Sequence, residues 1–279
     1  MNVYTHPKYK YVRVAEIPKS EIEKIDFVTC NQPGESVRNF YNRQQKKPAL
    51  VTNGGFFGMA NGHPCFNFID EKTSMNACEQ YAWGMGIIGD DKLMFGVRGN
   101  NTQSSWRDFI SGYPCLLSAG YKEAEAKWIG QEINYKARRT LLGYNDTTVF
   151  LVVVESPGMR FDACQNLLLG LGVTYAINLD GGGSSKMIAY GNVVTTDWTE
   201  RAVDNVVAVY LKDEFPETKQ IEPGCAVKVL KNIIYDSKKT FRTWFDTYTV
   251  YSVCGDRAVI GVDGVITAPV HIDNLQRVD

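Results

Sequence analysis

The segment Asn178-Leu-Asp-Gly-Gly-Gly-Ser-Ser185 gathers one carboxylate, three glycines and two hydroxyls. An apolar run, residues 175–179, reads as a short buried strand that delivers Asp180 at its end. Gly181, Gly182 and Gly183 carry no Cβ, so their N–H groups can approach a ligand closely, as in an anion-binding nest. Ser184 and Ser185 follow with hydroxyls. A solvated Asp on a plain glycine-rich turn would read the same, and on this segment alone the two readings stand even. Thr52-Asn-Gly-Gly-Phe-Phe57 repeats the form: a strand, the polar Asn53, then Gly54 and Gly55, then aromatics. Asn53 can both donate and accept. Phe56 or Phe57 could floor a sugar site, although an aromatic after a turn is more often core. Arg138-Arg-Thr-Leu-Leu-Gly143 offers at Arg139 a rigid fork suited to phosphate, or an ordinary surface salt bridge. Glu200-Arg-Ala-Val-Asp-Asn205 enters a strand, where Arg201 and Asn205 could point into one cleft.

Strands must position these groups. Residues 48–53 run into the Gly54-Gly55 turn. Residues 83–88 and 92–97 flank Gly-Asp-Asp, a hairpin signal. Residues 147–155 form a nearly continuous β-branched run, which predicts a central, buried strand. Ala163, Leu167, Leu168 and Leu171 have helical spacing over residues 162–171, and Gly172 ends that helix. Residues 205–211 predict another strand. The pattern is a mixed α/β or α+β domain with more strand than helix. A charged, proline-punctuated stretch, residues 212–224, reads as a linker. The expected organisation is a catalytic domain over 1–213, a linker over 214–221, and a second module over 222–279, with the boundary near 220. Short strands at 226–229, 247–253, 257–262 and 265–267 are expected in that module, and five or so within about 55 residues predict a small β-barrel.

At 44% hydrophobic and 22% charged, the 279 residues can build a sizeable core. A net charge of -1 argues against a nucleic-acid polymer as partner. The seven cysteines form no CxxC pair, which disfavours structural zinc and predicts free, mostly buried thiols in a reducing compartment. The three histidines, His6, His63 and His271, form no metal-binding pattern. The N-terminus has no basic-then-apolar leader, and no apolar run reaches membrane-spanning length. The expectation is a cytoplasmic product as synthesised, without membrane insertion, associated with a virion or released by lysis.

Together and in this order, the motifs of residues 50–210 resemble the phosphodiester glycosidase family. The resemblance rests on Asn53-Gly54-Gly55-Phe56-Phe57, Ser111-Gly112-Tyr113-Pro114 before Leu116, Arg139-Thr140 with Gly143, Asn178 through Ser185, and Arg201 with Asn205. Family members often carry Asp-Gly after the central strand, where this chain has Glu155-Ser156. Residues 222–279, with Gly224, Val227-Lys-Val229, Gly255-Asp-Arg257 and Ile266-Thr-Ala268, resemble the bacterial SH3-like modules of phage lysins and wall hydrolases. That resemblance implies docking on a cell-wall polymer; a small barrel that binds nothing is the plainer alternative.

The family resemblance implies a hydrolase acting on a phosphorylated sugar or glycan that breaks the C1–O bond of a glycosyl-1-phosphodiester, and the tail with the missing leader points to a phage- or bacteria-encoded protein. The departing oxygen belongs to an anionic phosphate and needs little protonation. Asp180 is expected as nucleophile or base, with Glu155 as second carboxylate. Arg139 and Arg201 would hold the phosphate, aided by the N–H groups of Gly181, Gly182 and Gly183 and the Ser184 hydroxyl. Asn53 and Thr140 would orient sugar hydroxyls or an acetamido group. No cofactor is expected; Asp180 with nearby oxygens could take Ca²⁺, but no dedicated ligand set is visible. The competing readings are a non-catalytic glycan-phosphate recognition protein and a hydrolase of nucleotide-sugar or teichoic-acid linkages. A peptidoglycan lysin, which only the tail suggests, is disfavoured because the chain lacks the Cys–His pairing of wall peptidases.

Overall fold

A computed structural model describes residues 1–58, 62–75, 83–89, 92–97, 106–123, 127–128, 131–196, 200–212 and 221–278. The chain divides into two compact units, Met1–Lys212 and Asp213–Asp279. The linker proposed over 214–221 and Cys78 fall almost wholly or wholly outside the described residues.

The first unit is built on the strand Thr148–Met159. It lies third in a seven-stranded sheet whose order is Asn2–Thr5, Val12–Pro18, Thr148–Met159, Ala137–Tyr144, Tyr175–Asn178, Cys115–Ser118 and Tyr121–Lys122. The two faces of this strand explain its unbroken apolar run. Val149, Leu151 and Val153 point into one core, while Phe150, Val152 and Val154 pack beneath the helix Phe161–Gly170 through Phe161, Leu167 and Leu168. The helix was expected at 162–171 and starts one residue earlier; Gly172, at φ 77°, carries the chain out of it.

A second sheet runs in the order Asn192–Val193, Met187–Ala189, Leu50–Asn53, Asn205–Leu211 and Ile22–Thr29. Its inner residues Leu50, Met187, Val207 and Val209 meet the first sheet in a shared core with Leu142, Val153 and Ile177. Its outer face is covered by a short helix, Val37–Arg43, through Val37 and Phe40. Ser36 caps that helix by accepting the Asn39 N–H. A third sheet contains the expected hairpin, Trp83–Ile88 with Lys92–Val97, and closes the same core through Met85, Ile87 and Ile110. Every described pairing is antiparallel, which resolves the α/β versus α+β choice in favour of α+β. No helix among the described residues is long and apolar enough to cross a membrane.

The second unit is one five-stranded antiparallel sheet in the order Val265–His271, Arg257–Val262, Tyr248–Cys254, Ala226–Val229, Leu275–Arg277. It wraps a small core of Val227, Val250, Ile260, Ala268 and Val270. The strand expected at 265–267 runs on to His271 through Pro269, which lies in the edge strand and so breaks no interior ladder.

Candidate active site

The motif segments meet at one end of the two facing sheets, and Asn53 is the knot. It ends the strand Leu50–Asn53 and is fully buried. Its Oδ1 accepts the Thr140 hydroxyl at 2.8 Å and the Lys186 N–H at 3.1 Å, and its Nδ2 donates to the Asp180 carbonyl at 2.7 Å. The Asp180 N–H returns to the Gly54 carbonyl at 3.0 Å. Thr140 stands on the first sheet and Asn53 on the second, so one amide joins both sheets to the loop that carries Asp180. Asn53 and Thr140 were expected to orient a sugar. Instead both are buried and bonded to each other, and what they orient is Asp180.

Asn205 performs the matching task on the other side. Its Oδ1 accepts the Gly55 N–H at 2.6 Å, and its backbone carbonyl accepts the Gly54 N–H at 2.9 Å. Its Nδ2 donates to Asp204, whose other oxygen accepts Gln32 Nε2, each at 2.9 Å. A Cβ on Gly54 would stand 2.0 Å from Asn205 Oδ1, so this turn requires glycine for close approach. Gly112 has the same need, since its Cβ would meet the Asn178 carbonyl at 2.4 Å.

Asp180 itself is half-buried. Burial raises its carboxyl above the usual carboxylate range, and the Ser184 hydroxyl, the Gly181 N–H and the Arg201 guanidinium each pull it back. The Gly181 N–H donates to Asp180 Oδ1 at 2.9 Å, so that member of the expected nest serves the carboxylate and not an external anion. The Ser184 hydroxyl is near enough to stabilise the carboxylate yet forms no hydrogen bond of normal geometry. Ser184 Oγ and Ser185 Oγ are both buried without a partner. Arg201 lies over the same loop: a Cβ on Gly183 would stand 2.8 Å from its Nη1. Gly182, at φ 58°, is exposed at the tip.

Two expected site residues lie elsewhere. Strand alternation carries Arg139 to the opposite face from Thr140. Its guanidinium stacks 3.8 Å from the Phe161 ring and donates to the carbonyls of Tyr135, Ile133 and Met159. Glu155 is buried, with Oε1 2.8 Å from Arg13 Nη2 and Oε2 accepting the backbone N–H and hydroxyl of Thr196, each at 2.6 Å. It shares the sheet end with Asp180 but stands two strands away, about 10 Å by strand spacing, and both of its oxygens are engaged.

Two residues not singled out from the sequence do reach the site. Arg138 Nη2 donates to the Ser185 carbonyl at 3.1 Å. Cys65 bonds through its N–H to the Phe56 carbonyl at 2.8 Å, and its exposed thiol is raised by partial burial and by the charges of Asp180 and Asp204. Phe56 is half-buried, edge-on to Phe66 at 5.5 Å. Among the described residues no group of three or more His, Cys, Asp or Glu side chains could hold a metal ion.

Two facing antiparallel sheets thus present a carboxylate on a glycine-rich loop beside an arginine. The fold is similar to that of the catalytic domain of zebrafish N-acetylglucosamine-1-phosphodiester alpha-N-acetylglucosaminidase, seen auto-inhibited by its pro-peptide. The TM-score is 0.58 at 18% identity, over 76% of this chain and 87% of that one. It is also similar to a hypothetical protein from Synechocystis, with a TM-score of 0.62 at 13% identity, over 76% of this chain and 61% of the other. At such identities the likeness speaks for the fold. Residues 46–210, more than half of the chain, match the phosphodiester glycosidase family, and the chain belongs to that family. No curated protein matches its sequence.

Proposed function

We propose that this protein hydrolyses the bond between the anomeric carbon and the phosphate oxygen of a sugar-1-phosphodiester. The observation that carries the reading is Asp180, a half-buried carboxyl held on a glycine-rich loop by Asn53 and faced by the Arg201 cation. Family membership and the likeness to an enzyme named for N-acetylglucosamine-1-phosphodiesters support the substrate class.

In this scheme the C1–O bond lengthens and its electron pair leaves with the phosphate, already an anion and stabilised by Arg201. Positive charge grows on the sugar ring, and the ionised Asp180 faces it, either bonding to C1 or taking a proton from the attacking water. Water adds to C1, releasing free sugar and a phosphomonoester. Phe56 offers a ring to the sugar. Glu155 is assigned to bracing, because Arg13 and Thr196 occupy its oxygens. The C-terminal unit is assigned docking on a bacterial wall polymer in the manner of an SH3-like module. Trp244 and Phe245 are exposed there, both backbone N–H groups held by Tyr248 Oη, and Arg242 stacks 4.1 Å from the Trp244 ring.

The test is turnover. Wild type and Asp180→Ala are incubated with α- and β-linked sugar-1-phosphodiesters, including an N-acetylglucosamine-1-phosphodiester and UDP-N-acetylglucosamine, and free sugar is read by mass spectrometry. Release by wild type alone supports the reading. Binding without release from any member would replace it with glycan-phosphate recognition.

A further inference from the structure

We propose that Arg138, and not Arg139, is the second phosphate-binding arginine, closing with Arg201 on the Gly181-to-Ser185 loop. This rests on the phosphodiester glycosidase reading of the same site and names a residue of it.

The two arginines are neighbours in sequence but serve opposite sides of their strand. Thr140 donates to Asn53 across the gap between the sheets, so its side of the strand faces the site. Arg139 points the other way, onto Phe161 and Cys164, with its N–H groups directed at three main-chain carbonyls. Burial among these groups also lowers its pKa. Turning it towards the site would expose those carbonyls and empty the stack. Arg138 lies at the register shift between Ala137 and Arg139, where the extra residues belong to the partner strand between Val154 and Met159, so alternation along its own strand sets it on the Thr140 side.

Two contacts confirm its position against the loop. Its Nη2 reaches the Ser185 carbonyl at 3.1 Å, and its own carbonyl would be 2.6 Å from a Cβ on Gly181. Arg201 lies across Gly183 in the same loop. The loop therefore has one guanidinium at its first half and another at its end. Between them lie Ser184 Oγ and Ser185 Oγ, both buried and both without a hydrogen-bond partner. Two guanidinium groups flanking two buried hydroxyls form a donor set whose charge suits a phosphate oxyanion better than a neutral sugar hydroxyl.

The full-length chain and its Arg138→Met, Arg138→Lys and Arg139→Met variants are titrated with inorganic phosphate by calorimetry at low ionic strength, with melting temperatures recorded in parallel. Arg138→Met is expected to weaken phosphate by about tenfold or more, the size of one charge-assisted hydrogen bond. Arg138→Lys should fall between it and wild type. Arg139→Met should melt lower yet bind phosphate as wild type does. Wild-type affinity in Arg138→Met, no phosphate binding by wild type, or a loss confined to Arg139→Met would each overturn the proposal. Because phosphate binding needs no turnover, a failure to release sugar from any diester would overturn the hydrolytic reading without altering this result.

Discussion

Asp180 is costly to keep where it is. Its ordinary pKa is 3.8, and burial holds it above that value in the folded chain. A carboxyl that binds its proton more tightly when folded makes stability fall as pH rises from the unfolded value through the raised folded one. Above the raised folded value the full penalty is present; well below pH 3.8 both states are protonated and it is gone. Asp180→Asn should therefore melt higher than wild type at pH 7 and equal to it in acid, while losing sugar release. A lower melting temperature at pH 7 would contradict this account of the site. The same shift places the acid limb of kcat/KM above the usual aspartate range, and Arg201→Met, by removing the cation that favours ionisation, should move that limb higher still. These motifs were legible in the sequence as a set, but the roles within them were not. Adjacency shows which residues are neighbours, not which face them. Asn53, Thr140 and Asn205 read as ligand-binding residues and are internal ties. Nothing in the chain's order links Cys65 to Asp180.

Elements decide which residues those are. The buried pair Arg13–Glu155 joins the strand Val12–Pro18 to the central strand, while Arg13 Nε also holds the Val194 carbonyl at 3.2 Å. Removing one member of a buried pair leaves an uncompensated charge, so Glu155→Leu alone should cost about 3–5 kcal/mol, and the double variant Arg13→Met/Glu155→Leu should recover much of it. Urea denaturation of the set checks this; full stability in the single variant would remove the bracing role. Gly54→Ala should cost about 1–3 kcal/mol by overpacking against Asn205, and adding Asn205→Ala should be less than additive because it removes the colliding oxygen. Strongly patterned elements were readable: the β-branched central strand, the helix before Gly172 and the hairpin of Trp83–Ile88 with Lys92–Val97. The helix Val37–Arg43 escaped notice because two turns carry only Val37 and Phe40 as buried anchors. The choice between Arg138 and Arg139 follows from strand alternation, which sets Arg138 with Thr140, and only the fold shows which side of the strand holds the site.

At the scale of the molecule, two units with separate cores should unfold separately. Residues 1–212 alone should retain kcat/KM on small phosphodiesters and lose only retention on wall material, which a pull-down with purified cell walls measures. A truncated chain inactive on small diesters would show instead that the C-terminal unit completes the site. The central claim concerns which bond breaks. Hydrolysis in H₂¹⁸O, with the phosphomonoester product weighed by mass spectrometry, reports it directly, since phosphate oxygens do not exchange with solvent on the assay timescale. Attack at the anomeric carbon predicts an unlabelled phosphomonoester and ¹⁸O in the sugar; ¹⁸O in the phosphate would mean attack at phosphorus and would contradict the account.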